Sequence, residues 1–147
     1  SMYGNHQTLH NLLPGATVRD YDLKREFGYE MTGWNTDSDG LYQGIKVYCT
    51  NGDKLKAPFK CKITDVNTDE NKITVRKDDV EYWYEQFYTY THMDKEYVGV
   101  VKNNDLRYTI NDGQEFAKTT AGNVNFHIYI DTDGYGWDYI DPRLVLY

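Results

Sequence analysis

The stretch Asn123–Ile130, "NVNFHIYI", indicates the fold most directly, because apolar and polar residues alternate along it. One side of this predicted strand holds four apolar residues: Val124, Phe126, Ile128 and Ile130. The other side holds four residues that can form hydrogen bonds or bind metals: Asn123, Asn125, His127 and Tyr129. A period of two is typical of a β-strand with one face on a core. The polar row is then a working metal site, the remains of one, or the solvated face of a sheet.

The composition fits one β-rich domain and argues against several classes of partner. The 147 residues suffice for a single domain with a real core, and 15 of them are tyrosine. Tyrosine has a large apolar body and a polar tip, which suits half-buried sheets and ring-lined clefts. The net charge is −7, and no segment approaches the roughly 18 apolar residues of a membrane span. We therefore expect no nucleic-acid partner and no membrane insertion by this segment.

Short β-branched and aromatic segments, separated by Asn, Asp and Gly turns, predict most of the sheet. The predicted strands are "GIKVYC" (44–49), "KCKITDV" (60–66), "KITVRKD" (72–78), "VEYWYEQFYTYTHM" (80–93, one strand or two), "LRYTI" (106–110) and "VNFHIYI" (124–130). Helix-like sequence occurs only before residue 28, in "HQTLHNLLPG" and "TVRDYDLKREFG". The sequence thus predicts an N-terminal linker or helical segment over 1–25 and an all-β or β-dominant antiparallel domain over 26–147.

Two loops imitate calcium sites, and the cysteines leave two possibilities. In "NTDSDG" (35–40) the final carboxylate of an EF-hand-like loop would fall on Lys46, a cation that opposes binding. In "DTDGYGWD" (131–138) three aspartates surround two glycines, which a hairpin turn explains as well. Cys49 and Cys61 are either paired across strands or two small buried hydrophobes, and we slightly favour the second.

Seven short segments, in order, resemble motifs of the LytM-type (M23 family) peptidoglycan endopeptidases. They are "EFGYE" (26–30), "YQGIKV" (42–47), "NGDKLKAPFKCKI" (51–63), "YTYTHM" (88–93), "INDGQEFA" (110–117), "NVNFHIYI" (123–130) and "YIDPRLVL" (139–146). The closest match is 51–63, which is similar to the family's GxPVxAPxxGxV hairpin. The resemblance implies an antiparallel sheet of the M23 peptidase type, preceded by a short helical or irregular segment.

The same resemblance identifies the positions at which a zinc site would stand. The family holds zinc through His, Asp and His and leaves the fourth position to water. Tyr42 stands at the first ligand position and Lys46 at the second. The family's HxH strand aligns in two registers, which place its two histidines either on Asn123 and Asn125 or on Asn125 and His127. Both registers give the same face of the strand, because side chains alternate.

One further histidine of the family, that of its YxHL motif, is retained as His92. At most one zinc ligand of three then remains, and an ammonium group replaces the carboxylate. A cation about 4 Å from a dication costs several kcal/mol even at an effective dielectric near 20. We therefore expect no zinc and no intact catalytic set. Vestigial metal positions are Tyr42, Lys46 and His127, and vestigial catalytic positions are His92 and Asn125. The expected binding cleft comprises Tyr42, Lys46, His92, Asn123, Asn125 and His127.

The resemblance implies a catalytically inactive domain at the surface of a bacterium, part of a larger secreted or membrane-anchored protein. Its partner would be a peptidoglycan peptide or a cell-envelope protein, and its role that of a scaffold or regulator. The main alternative is an active zinc metalloendopeptidase that cleaves peptidoglycan cross-links, with zinc recruited through His92, His127 and a carboxylate such as Asp39. A third hypothesis is a cysteine hydrolase that pairs Cys49 or Cys61 with His92.

Overall fold

The computed structural model of the chain describes residues 13–17, 23–25, 44–67, 69–78, 84–94, 109–132 and 136–142. In these ranges the chain forms ten strands and no α-helix. The strands are β1 (Leu23–Arg25), β2 (Ile45–Tyr48), β3 (Lys54–Lys56), β4 (Cys61–Asn67), β5 (Lys72–Lys77), β6 (Tyr84–Tyr90), β7 (Thr109–Ile110), β8 (Glu115–Lys118), β9 (Asn123–Thr132) and β10 (Gly136–Ile140). The predicted β class is confirmed, and none of these ranges contains a helix that could cross a membrane.

One antiparallel sheet dominates the fold, and β9 lies at its centre. The sheet runs in the order β1-β2-β9-β6-β5-β4-β7, and β10 also pairs with β9. Along one side, β9 pairs with β6. Along the other side it pairs first with β2 and then with β10. Strands β3 and β8 form a separate two-stranded sheet. The long central strand thus brings side chains of β2, β6 and β10 next to its own.

The apolar face of β9 lies in the core. Val124, Phe126 and Ile128 are fully buried, whereas Ile130 is only half-buried near the hairpin end. The neighbouring strands contribute the other buried side chains of this face: Ile45, Val47, Ile63, Ile73, Val75, Tyr88 and Tyr90. Full burial of such a side chain stabilises the fold by about 1.5–3 kcal/mol. The alternation predicted from the sequence therefore fixes which side of the sheet faces inward.

The N-terminal region contacts the sheet and is not helical where it is described. The helical interpretation is wrong for Leu23–Arg25, which pairs as β1 with β2, because the edge of β2 offers its backbone hydrogen-bond partners. Leu13 and Ala16 are buried in the core. The amide of Lys56 donates to the carbonyl of Pro14 at 2.7 Å, and so fixes this segment on β3. The domain boundary at residue 26 stays a prediction.

The loop predicted over 131–138 is partly strand. β9 extends to Thr132 and β10 begins at Gly136. Asp131 pairs with Trp137, and Asp138 pairs with Ile130. Successive residues of a strand face opposite sides, so the carboxylates of Asp131 and Asp138 lie on opposite faces of the sheet. The prediction of a calcium site that uses both Asp131 and Asp138 is therefore wrong. Asp133 and the loop "NTDSDG" (35–40) lie outside the described residues.

Candidate functional site

The polar face of the main sheet contains one continuous row of side chains across four strands. Residues directly opposite each other in antiparallel strands point to the same face. Asp65 of β4 pairs with Thr74 of β5, and Thr74 pairs with Thr89 of β6. Thr89 in turn pairs with His127 of β9. The row Asp65–Thr74–Thr89–His127 therefore crosses the sheet from one strand to the next.

Lys46 lies directly opposite Asn125, on the strands where the family motifs place zinc ligands. Asn125 is buried and Lys46 is half-buried. Two hydrogen bonds to Thr91 hold the Asn125 backbone, since its amide donates to Thr91 Oγ1 at 3.0 Å and its carbonyl accepts from the Thr91 amide at 3.0 Å. The structure thus brings together three of the predicted site residues, Lys46, Asn125 and His127, on one face.

His127 is packed rather than solvated. Its side chain is 1% exposed. A Cβ added at Gly44 would overlap the imidazole ring, so only glycine leaves room for the ring at that place. The ring also contacts Tyr139 in a T-shaped arrangement, with ring centroids 5.8 Å apart. Asn125 and His127 therefore do not form the solvated face that the sequence left open.

His92 and Asn123 lie together at the beginning of β9. The His92 Nδ1 atom is 2.8 Å from the Asn123 carbonyl oxygen. The His92 backbone has a φ of +60°, in the left-handed region that costs a non-glycine residue about 1 kcal/mol. The Thr120 amide donates to the His92 carbonyl at 2.7 Å and so supports this conformation. Among the described residues the buried Oδ1 of Asn123 has no hydrogen-bond partner. Tyr42, the remaining predicted site residue, lies outside the described ranges.

A cavity of about 400 Å³ opens over the row that ends at His127. Its floor is that row. Tyr129 and Tyr139 form its aromatic wall, and their ring centroids are 5.7 Å apart in a T-shaped arrangement. Phe87 stacks on Tyr129 at 4.7 Å and supports the wall from β6. Lys72 and Asp131 complete the lining. The cavity is therefore a polar cleft with an aromatic side.

The charged groups in and beside the cleft differ in whether they form ion pairs. Lys72 Nζ lies 3.1 Å from Glu70, and Arg76 lies 3.1 Å from Glu85 on the same sheet. Asp65 and Asp131 line the cavity. Within the parts of the chain that the structure describes, neither of their carboxylates forms a hydrogen bond or an ion pair. Two carboxylates and one lysine, which is paired with Glu70, therefore line the cavity.

The two tyrosines of the wall remain protonated at physiological pH. Burial, then the neighbouring Tyr139 and the carboxylates of Asp131, Asp65 and Glu85, raise the pKa of Tyr129 to about 12. Burial, followed by the charge of Glu70, also raises the pKa of Tyr139. A phenol must lose its proton to be a good metal ligand. These two hydroxyls therefore serve as neutral hydrogen-bonding groups.

The described residues of this face do not fit a zinc ion. A catalytic zinc site needs three protein ligands of the His, Asp, Glu or Cys type. Across the described ranges no group of three such residues is placed to hold a metal. Lys46 and Asn125 accompany the single histidine His127 instead. The donor set is that of a hydrogen-bonding surface, and Asp39, the carboxylate considered for a divergent site, lies outside the described residues.

Neither cysteine is prepared for nucleophilic attack. Both are free thiols, but of the two small buried residues that the sequence slightly favours only Cys61 is buried, whereas Cys49 is half-buried. Burial, and to a smaller extent Asp53, raises the pKa of Cys49 to about 11, although a hydrogen bond with Thr119 lowers it. Burial and then Asp78 raise the pKa of Cys61 to about 12. Since the thiolate is the nucleophile, both environments oppose the cysteine-hydrolase hypothesis.

Most residues of the cavity lie outside the binding cleft that the sequence predicts. The residues that the sequence did not single out are Asp65, Lys72, Thr74, Thr89 and Tyr139. Lys72, Thr74 and Thr89 belong to predicted strands, where alternation could have nominated them, whereas Asp65 follows a register shift and Tyr139 lies outside the predicted strands. What the sequence did not contain is the strand pairing that brings these five residues to one cavity.

Comparison with known proteins gives no match in sequence and clear matches in structure. No protein-family model matches the chain, and no curated protein matches it either. The catalytic domain of the antimicrobial peptidase lysostaphin from Staphylococcus simulans superposes with a TM-score of 0.58 at 19% identity, over 86% of this chain and 92% of that domain. Lysostaphin itself superposes with a TM-score of 0.61 at 18% identity, over 97% of this chain and 53% of that protein.

A zinc-containing peptidase from Vibrio cholerae gives a TM-score of 0.56 at 16% identity, over 84% of this chain and 37% of that one. The chain thus spans about half of lysostaphin and a smaller part of the Vibrio protein. At such identities the likeness concerns the fold. The motifs read from the sequence and the superpositions agree: the chain has the fold of the M23, lysostaphin-type peptidase domains.

Proposed function

We propose that the chain is a catalytically inactive M23-like domain that binds the peptide part of peptidoglycan as a scaffold or regulator. It would act at the outer surface of a bacterium, within a larger secreted or membrane-anchored protein. The observation that supports this most is the pair Lys46 and Asn125, directly opposite each other on the two strands of the expected zinc site.

Electrostatics explains why this pair opposes zinc chemistry. An ammonium group repels a dication at the position where the family has a counter-charge. At about 4 Å and an effective dielectric near 20, each unit of charge contributes about 4 kcal/mol. The neutral amide of Asn125 offers a weak donor in compensation. Hydrolysis of a peptide bond through a zinc-bound water therefore has no support from these residues.

The cavity supports binding. Its volume of about 400 Å³ is in the usual range for ligand sites, about 300–1,000 Å³. Its lining has hydroxyls on Thr74 and Thr89 and phenols on Tyr129 and Tyr139. Such groups match the amides and carbonyls of an extended peptide. The fold is that of peptidases, so a peptide is the ligand class that the site favours.

Metal content is the first test. The purified protein, incubated with equimolar zinc at neutral pH and then desalted, should retain under about 0.1 zinc per chain by atomic emission. The catalytic domain of lysostaphin, handled in the same way, is the positive control. Stoichiometric zinc in this chain, together with cleavage of purified peptidoglycan, would establish the active metalloendopeptidase instead.

Binding is the second test. Co-sedimentation with purified peptidoglycan should retain the protein, and Thr89→Val should weaken retention, since it removes one hydroxyl of the cavity floor without changing the shape of the side chain. Thr50→Val, the same change in an exposed turn, is the matched control. No retention of the folded wild-type protein would refute wall binding and leave a cell-envelope protein as the partner to seek.

A further inference from the structure

We propose that Asn51 is a site of spontaneous deamidation, and that hydrogen bonds to Thr119 restrain the reaction in the native turn. The chain contains one Asn-Gly pair, Asn51-Gly52, in the exposed turn before β3. The reaction needs only water and depends on neither zinc nor a ligand of the cavity, so it stands apart from the proposed function.

The pair has the groups that deamidation requires. The backbone nitrogen of Gly52 attacks Cγ of Asn51, the new C–N bond closes a five-membered succinimide, and Nδ2 leaves as ammonia with the amide proton. Water then opens either carbonyl of the ring and leaves an aspartate or an isoaspartate at position 51. Glycine has no Cβ to obstruct the attack. Asn51 is exposed, and its side chain forms no hydrogen bond with the described residues.

The conformation of the turn keeps the two reacting atoms apart. The Asp53 amide donates to the Thr50 carbonyl at 3.3 Å, so Asn51 and Gly52 are the two central residues. Gly52 has a φ of +93°, whereas φ is not positive at Asn51, which is the pattern of a type II turn. The first central residue of such a turn has ψ near about +120°. This angle rotates the Asn51 Cα–Cβ bond away from the Gly52 nitrogen, so the ring closes only after the turn has opened.

Thr119 holds the turn closed. It is 1% exposed, and its carbonyl accepts from the Gly52 amide at 3.0 Å, so the attacking nitrogen is already in a hydrogen bond. Its hydroxyl donates to the Thr50 carbonyl at 2.8 Å and accepts from the Asp53 amide at 2.9 Å. Its own amide donates to the Asp53 carbonyl at 2.9 Å. An opening that frees the Gly52 nitrogen must break these contacts, and the native fold therefore slows the reaction.

The product would also weaken the contact that holds the N-terminal segment. An isoaspartate adds one atom to the main chain, and Thr119 binds the chain on both sides of position 51, at Thr50 and Gly52. The Asp53 carboxylate of the same turn accepts from the Thr17 amide at 2.6 Å and from the Thr50 amide at 3.1 Å. We expect the isoaspartyl form, separated by ion exchange, to show hydrogen exchange at the Thr17 amide about threefold faster. An unchanged rate would overturn this link to the N-terminal segment.

Peptide mass spectrometry of the full chain measures the reaction. The native protein and the protein unfolded in guanidinium chloride are incubated side by side at pH 8. We expect Asn51 to be the first asparagine to react in the unfolded chain, and to react about tenfold more slowly in the native protein. Equal rates in the two states, or no reaction at Asn51 in the unfolded chain, would overturn the proposal.

Variants test the role of Thr119. Thr119→Val removes the hydroxyl and keeps the shape of the side chain, and it should speed native deamidation about tenfold, or about 1.4 kcal/mol for the two lost hydrogen bonds. Thr119→Ser keeps the hydroxyl and should restore the slow rate. Thr64→Val is the matched control, because it removes a hydroxyl that donates to the Thr74 carbonyl at 3.4 Å elsewhere in the sheet. An unchanged rate in Thr119→Val, or equal acceleration in both valine variants, would contradict the assignment.

Hydrogen exchange gives a second measurement, on the unaltered protein. The Gly52 amide donates to Thr119, so its exchange requires the same opening as deamidation at Asn51. Low concentrations of guanidinium chloride should accelerate both processes by the same factor. Different factors would overturn the proposal, whether or not Thr119→Val folds.

Discussion

A zinc site should appear on this face if Lys46 and Asn125 are both exchanged for metal ligands. The perturbation is Lys46→Asp combined with Asn125→His. The introduced carboxylate and imidazole would lie directly opposite each other, because Lys46 pairs with Asn125. His127 lies on the same face two residues further along β9. Opposite residues are about 4.5–5.5 Å apart at Cα and alternate residues about 6.6–6.8 Å. Three side chains so spaced can converge on one ion.

The magnitude is large because the sign of a charge is reversed. A unit charge about 4 Å from another contributes about 4 kcal/mol at an effective dielectric near 20. Replacing a cation by an anion beside a dication therefore changes the interaction by about 16 kcal/mol as an upper bound, before zinc loses its water. Even a small part of this interaction energy, left after zinc has lost its water, is enough for measurable affinity. At zinc concentrations 100 times the Kd, binding stabilises the fold by about 2.7 kcal/mol.

Thermal unfolding measures that stabilisation. In a chain of 147 residues, each kcal/mol raises Tm by about 3 °C, so we expect a shift of about 8 °C that EDTA reverses. The wild-type protein should show no zinc-specific shift. Lys56→Asp with Asn125→His, which makes the same change of charge on exposed β3, is the matched control. A folded Lys46→Asp, Asn125→His variant that ignores zinc would refute the inference that side chains at positions 46, 125 and 127 converge on one ion.

Three further outcomes follow from the packing and the pKa values. At pH 8 a thiol-specific reagent should modify Cys49 about 100-fold more slowly than an unfolded cysteine, since the pKa of Cys49 rises from 9.0 to about 11. Cys61 should react only after denaturation. Fast labelling of either cysteine in the native protein would contradict this expectation. Gly44→Ala should lower the urea midpoint, because the added methyl displaces the buried imidazole beside it; an unchanged midpoint would show that the ring moves freely. Phe126→Ala should destabilise the fold by about 3–5 kcal/mol in urea titrations, whereas Tyr48→Ala, at a side chain that is 47% exposed, should change little; similar losses would place the core elsewhere.

Much of the fold could be predicted because alternation is strong in the central strands. "KITVRKD" and "VNFHIYI" mark β5 and β9 to within about two residues, and the inward positions of β9 are those with apolar side chains. The helical interpretation of the N-terminal region failed at Leu23–Arg25, because pairing with β2 outweighs local propensity. No local sequence pattern indicates that β2 and β10 pair with successive halves of one side of β9.

The site was harder to predict, and Asp65 shows why. Strict alternation from the buried Ile63 would place Asp65 on the core face. The register shifts between these two residues, where Thr64 is the extra residue of a bulge, and Asp65 instead lies opposite Thr74. A slip of one residue exchanges the two faces of a strand. The cavity depends on such long-range alignment, whereas the motifs pointed only to positions that a zinc ligand would occupy.

The composition of the polar face has a consequence for the stability of the fold. Three metal ligands without their metal would leave acceptor lone pairs and like charges crowded in a buried place, at a cost in stability. Lysine only donates hydrogen bonds, an amide both donates and accepts, and a neutral imidazole does one at each nitrogen. The donors and acceptors of Lys46, Asn125 and His127 can therefore be paired in hydrogen bonds without an ion. A face of this composition therefore does not depend on a bound ion for its stability.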